Sequence, residues 1–157
     1  MSYASVLKSG LFAGQTHVVT GGGSGIGRCT AHELAALGAH VIVTGRTQSK
    51  LDAVVAEIIE DGGSASAQAF DIRDEDAVKT AVQAMVTQHG AIHGLVNNAG
   101  GQFPSPAMMI SKNGFDAVVR NNLTGGFLVA REVLLQSMRD TGGAVVNIVA
   151  DMWGGMP

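Results

Sequence analysis

Residues 20–27 read TGGGSGIG, and no other stretch of the chain concentrates so much chemical capacity. Among Gly21, Gly23, Gly25 and Gly27, one glycine can turn the chain tightly at positive φ, and another can let backbone N–H groups approach a pyrophosphate. A third lets a helix pack on a strand with no Cβ between them. With Ser24 and Ile26 completing the turn, a phosphate would rest on a helix N-terminus, where free N–H groups and the helix dipole favour an anion. A dinucleotide is the ligand class that such a turn serves. A glycine-rich turn without a ligand is the alternative.

Which dinucleotide depends on the end of the next strand. NAD sites place an Asp or Glu there to accept from the ribose 2′-OH, but this chain reads Thr44-Gly45-Arg46. A guanidinium suits a 2′-phosphate, so Arg46 favours NADP as the cofactor, with NAD as the second choice. Arg46 also reads as a solvated loop arginine.

Such residues meet only if strands deliver them to one edge of a sheet. Thr16–Thr20 is a β-branched run that stops at the glycines, and helical spacing follows through Ile26, Cys29, Thr30, Glu33, Leu34 and Leu37 to Gly38. Residues 40–44 form a second strand, and Leu51, Val54, Val55, Ile58 and Ile59 mark a second helix. Residues 66–70 make a third strand, Ala77, Val78, Ala81, Val82 and Met85 a third helix, and residues 93–96 a fourth strand. A long helical pattern occupies 111–138 through Phe115, Val118, Val119, Leu123, Phe127 and Leu134. Residues 144–149, AVVNIV, read as a strand buried on both faces. Alternation of strand and helix implies βαβ crossovers. The expected fold class is therefore α/β, a Rossmann-type doubly wound parallel sheet in a single domain over residues 1–157.

Composition narrows the partners. With 46% hydrophobic and 15% charged residues the chain is globular. A net charge of −3 and the lack of any basic run argue against a nucleic-acid partner. No apolar run approaches the ~20 residues of a membrane span, and residues 1–14 lack a signal-peptide core. Cys29 is the single cysteine and the five histidines lack a ligand-like spacing, so no metal site is expected and a cytoplasmic, reducing location is.

Four motifs in order resemble the short-chain dehydrogenase/reductase family: TGGGSGIG at 20–27, FDIRD at 70–74, NNAG at 97–100 and NNLTGGF at 121–127. The resemblance runs from about Leu11 to Pro157. It implies an NAD(P)(H)-dependent oxidoreductase built on the N-terminal five-strand portion of that fold, with the last strand or strands missing. It also implies that Asp71 and Ile72 meet the adenine, and that Asn98, Ala99 and Gly100 lie against a cofactor ribose. A helix cap ahead of RDEDAV is the other reading of Asp71. Within the family, NNAGGQFPSP followed by ISKNGFDAV looks most like the peroxisomal trans-2-enoyl-CoA reductase branch and its bacterial relatives. That likeness implies NADPH-linked reduction of an unsaturated acyl thioester, with an acyl-CoA as the small-molecule substrate. Phe103, Met108, Met109 and Trp153 then suit an acyl chain, or else simply pack against a neighbour. A homo-oligomer is also implied, with the long helix as its interface.

The family's proton-transfer chemistry uses Asn, Ser, Tyr and Lys. The asparagine carries over to Asn122 as a catalytic residue. Asn121 would point about 100° away on a helix, and a buried, helix-kinking amide is the other reading of Asn122. The serine does not carry over, because its strand ends in Val149 and Ala150. This departure fits the enoyl-CoA reductase branch, whose reacting centre is a C=C bond. The Tyr/Lys pair would fall beyond Pro157, since the chain's only tyrosine is Tyr3 and its last lysine is Lys112. Two expectations follow: a working protein that continues past Pro157, or a truncated, non-catalytic dinucleotide-binding or structural protein.

Overall fold

Val18 and Val19 are neighbours in β1 (Thr16–Thr20) yet pack into different cores, because successive strand residues face opposite sides of a sheet. The same alternation separates Ile42 from Val41 and Val43 in β2 (His40–Gly45), and Leu95 from Val96 in β4 (Gly94–Asn97). On one face Val19, Val41, Val43 and Val96 lie under α1 (Gly25–Ala36) and α2 (Gln48–Glu60), which supply Ala31, Ala35, Leu51, Val54 and Ile58. On the other, Val18, Ile42 and Leu95 meet α3 (Glu75–His89) and α5 (Gly125–Val133) through Val78, Val82, Met85, Leu128 and Val133. Burying each such Leu, Ile or Val contributes on the order of 2 kcal/mol, so the sheet is stabilised from both sides.

The computed structural model describes residues 3, 5–102 and 105–149; Phe103, Ala150 and Trp153 lie outside the described residues. All five strands are parallel, in the order β3-β2-β1-β4-β5, with β3 at Ser64–Ala69 and β5 at Ala144–Asn147. The chain runs outward from β1 to β3, then returns to the far side of β1. This is the doubly wound, Rossmann-type sheet expected from the alternation. The reversal beside β1 opens a crevice at the C-terminal ends of β1 and β4.

Some faces turn out differently. In α1 the buried residues are Gly27, Ala31 and Ala35, while Ile26 and Cys29 are exposed. Small side chains let the helix lie close on the sheet, which leaves the larger Ile26 outside. The long helical pattern is interrupted: α4 (Lys112–Val119) leads through a π-helical turn (Arg120–Thr124) into α5, and a second π-helical turn (Leu134–Met138) leads to α6 (Arg139–Thr141). Its apolar residues Phe115, Leu123, Phe127 and Leu134 are exposed, and Gly125, Leu128, Val129 and Val133 meet the core instead. The expectation that AVVNIV is buried on both faces is corrected. Among the described residues β5 pairs with β4 alone, and Val146 and Val149 are 51% and 81% exposed. The helix cap at α3 is Asp74, whose carboxylate accepts from Ala77 N at 3.0 Å, so Asp71 is not the cap.

Three imidazoles lie at the opposite rim. His40 bonds Ser64 Oγ at 2.7 Å and Ser66 Oγ at 3.0 Å and stacks on His89 at 4.5 Å, while His17 is only 8% exposed. Burial pushes the pKa of all three down, helped by the neighbouring His93 at His17 and by His89 at His40. A group held neutral in the fold takes its proton more readily when unfolded. Its contribution to stability is therefore complete above pH 6.5 and lost as pH falls below it. We expect the thermal midpoint to drop across that range, and His40→Gln to flatten the drop; parallel melting curves for the two proteins would refute this.

Candidate functional site

Thr20 closes β1 with a hydroxyl that is almost fully buried. It donates to Val96 O at 3.3 Å and accepts from the backbone N–H of Asn98 at 3.0 Å and of Ala99 at 2.9 Å. The Asn98 amide answers by donating to Thr20 O at 3.0 Å and to Gly21 O at 3.4 Å. The loops after β1 and β4 are thereby fastened to each other. Gly27 sits beneath this joint, where an added Cβ would come within 2.5 Å of Asn98 Nδ2 and nearer still to Gly21 O. Gly27 supplies close approach and does not itself line the opening above it.

That opening is a groove of about 390 Å³. Gly21, Gly23, Ser24, Gly25 and Ile26 form one wall, and Asn98, Ala99 and Gly100 another. Arg46, Asp71 and Ile72 occupy the far end. Gly25 has φ +52° with open space over its Cα, so the chain enters α1 there without obstructing the groove. The first N–H to bond within the α1 ladder is that of Arg28, to Ser24 O at 3.1 Å. Ser24 makes no side-chain cap and the first turn carries no acid, so several donors point outward with a favourable dipole. α2 is likewise uncapped by Thr47, whereas α3 and α4 are capped by the side chains of Asp74 and Ser111. Both helices that open on the groove thus begin without a side-chain cap.

At the far end, Phe70 N bonds Gly45 O at 2.9 Å, which sets Arg46 and Asp71 beside each other on adjacent strand ends. Asp71 accepts from Arg73 Nε at 2.9 Å, Arg73 Nη2 at 2.5 Å and Arg73 N at 3.0 Å. The Arg73 guanidinium holds the Asp71 carboxyl at about 2, with a smaller contribution from the charge of Arg46. Thr47, Lys50, Phe70 and Asn121 also line the groove, and the sequence reading missed them as site residues. Arg46 precedes α2 and Lys50 lies in its first turn, so no helical spacing in the sequence links the two.

Asn121 and Asn122 face different openings. Asn121 lines the groove, while Asn122 lines a second cavity of about 650 Å³ with Asn97, Phe127, Asn147 and Val149. The π-helical turn holding both is the kind of local widening found at functional sites. Asn122 is exposed, so the buried reading fails. Its Oδ1 accepts from Gly101 N at 3.1 Å, and its Nδ2 donates to Gly101 O at 2.7 Å and Val118 O at 2.9 Å. Tyr3 is not near either opening, since its hydroxyl donates to Glu33 Oε2 on α1 at 2.6 Å. Met108 and Met109 are 95% and 71% exposed. Among the described residues no helix is long and apolar enough to cross a membrane, and no cluster of three or more His, Cys, Asp or Glu could hold a metal.

Comparison with known proteins adds the following. A family model described as short chain dehydrogenase matches residues 15–155. A probable 2,4-dienoyl-CoA reductase of Bacillus subtilis (strain 168) is 34% identical over 142 residues, covering 87% of this chain and 55% of the relative. The solved structure of a citronellol catabolism dehydrogenase from Pseudomonas aeruginosa PAO1 is similar with a TM-score of 0.93 and 63% identity, covering 99% of this chain and 64% of that one. A metagenomic short-chain oxidoreductase in complex with NADP is similar with a TM-score of 0.84 and 36% identity, covering 91% of this chain and 65% of that one. The chain spans about half the length of the curated relatives it matches.

The Gly27 contact yields a direct test. Gly27→Ala should force Asn98 off the Thr20 and Gly21 carbonyls, cost about 1–3 kcal/mol as an overpacked site, and distort the groove. Chemical denaturation measures the cost, and an unchanged midpoint would contradict the contact.

Proposed function

The chain belongs to the short chain dehydrogenase family, and from that premise we propose that it binds NADP(H) in the groove and serves an oxidoreductase. The observation that carries this reading is the pairing of two uncapped helix N-termini with Arg46 where an acid would select NAD. The NADP complex of the metagenomic relative supports the same choice. A bound nicotinamide dinucleotide would supply the hydride. The α1 N–H groups with Gly21, Gly23, Ser24, Gly25 and Ile26 would hold the pyrophosphate, and Arg46 the 2′-phosphate. Asp71 and Ile72 would meet the adenine, and Asn98, Ala99 and Gly100 a ribose. Gly27 would act from behind by permitting the joint. Asn122 fixes the turn at Gly101, and it keeps one Oδ1 lone pair with which to hold a water on a proton path.

For the substrate we propose an unsaturated acyl thioester reduced at its C=C bond, as the name of the Bacillus relative suggests. The 63% identity to the citronellol catabolism dehydrogenase favours a second reading, oxidoreduction at the oxygen-bearing carbon of an acyclic, apolar alcohol or aldehyde. One pair of assays separates them. NADPH oxidation with trans-2-enoyl-CoA or with a 2,4-dienoyl-CoA is expected under the first reading, and NADP reduction with citronellol under the second. Binding without turnover of either would leave a dinucleotide-binding protein. Arg46→Asp should lower the preference for NADPH over NADH by at least about tenfold; an unaltered preference would remove Arg46 from the site.

A further inference from the structure

Asp71 poses an electrostatic problem for a groove that takes a phosphorylated dinucleotide. Its carboxylate lines the same end as Arg46 and Lys50, on the strand end next to Arg46. An ionised carboxylate there would draw the Arg46 guanidinium into an ion pair and repel a 2′-phosphate. Yet among the described residues Arg46 has no ion-pair partner. Arg73, which does not line the groove, takes the carboxylate instead. Its Nε reaches Oδ1 at 2.9 Å and Oδ2 at 3.1 Å, its Nη2 reaches Oδ2 at 2.5 Å, and its backbone N–H reaches Oδ1 at 3.0 Å.

The geometry of this fork is set in advance. Asp74 N bonds Asp71 O at 3.1 Å, closing the turn, and the Asp74 carboxylate then caps α3. Between them the buried Ile72 reaches Gly125, where an added Cβ would come within 2.7 Å of its Cδ1. The turn is therefore pinned on both sides of Arg73.

We propose that Arg73 is a positioning residue for cofactor choice: by forking onto Asp71 it cancels a carboxylate beside the 2′-phosphate position and leaves Arg46 free to bind that phosphate. This inference rests on the reading of the groove as an NADP(H) site. It assigns specificity to a side chain that need not touch the ligand. The lowered pKa of Asp71 agrees with the assignment, since the carboxylate stays ionised and always needs its counter-charge. The pair is partly solvated, with side-chain exposures of 39% and 32%, so its loss should leave the fold intact.

The test is the ratio of NADPH to NADH dissociation constants, measured by fluorescence titration near neutral pH. Arg73→Met should reduce the preference for NADPH roughly tenfold, as expected for exposing one charge near another in a partly solvated groove. Arg73→Lys, which keeps the charge, should retain most of the preference. The double variant Asp71→Asn with Arg73→Met should restore it, because the carboxylate is then gone. A preference unchanged in Arg73→Met, or not restored in the double variant, would overturn the proposal while leaving the groove reading intact. A wild-type protein that binds neither dinucleotide, or both equally, would overturn the NADP(H) reading and this inference with it.

Discussion

The Thr20 hydroxyl makes three hydrogen bonds inside the sheet's C-terminal rim, and the layout of the rim follows from them. A buried hydroxyl left unpaired costs about 1–3 kcal/mol, so the loop after β4 is drawn onto the end of β1. Once it is there, the Asn98 amide must find acceptors, and the Thr20 and Gly21 carbonyls are within reach. No Cβ can then occupy position 27. The small face of α1 follows in turn, because a helix that starts so close to the strand can bury only Gly27, Ala31 and Ala35 against it.

A division of labour among helix starts follows as well. Where an N-terminus faces solvent away from the crevice, the chain supplies its own oxygen, from Asp74 or Ser111. Where it faces the crevice, no side chain among the described residues caps it, and on the proposed reading its donors serve the cofactor. Placing both uncapped ends at one crevice, with Arg46 and Lys50 at its far end, gives a locally positive site in a protein of net charge −3. The attraction is local and needs no global field.

Much of this was legible in the chain because close packing leaves marks that survive without coordinates. A position that tolerates no Cβ is a glycine, and a strand buried between two helical layers is a run of valine and isoleucine. Lys50 and Asn121 left no such mark. Their access to the groove depends on where α2 begins and on a π-helical turn, and neither has a periodic signature. The long helix misled for a related reason. It carries apolar residues on more than one side, and periodicity alone does not say whether Phe115 and Phe127 or Leu128 and Val133 meet the sheet. Asp71 and Asp74 were confusable because both precede α3, and only the turn between them decides which one caps it. AVVNIV has the composition of an inner strand, but exposure depends on neighbours, and among the described residues β5 pairs on one side only.

Arg46, Thr47, Lys50 and Arg73 share one further property: none belongs to either apolar core. On the proposed reading, discrimination between the phosphorylated and unphosphorylated carrier is written on solvated loops and first helical turns, and of the core only Ile72 enters it, by pinning the turn that carries Arg73. The parts that must remain constant for the chain to fold are the valines, the small face of α1 and the joint at Thr20. Folding and carrier choice therefore sit on nearly separate sets of positions. On that reading the carrier can be exchanged through a few solvated positions, each within about 0.5 kcal/mol of neutral for folding, while the scaffold that holds the crevice open is left as it was.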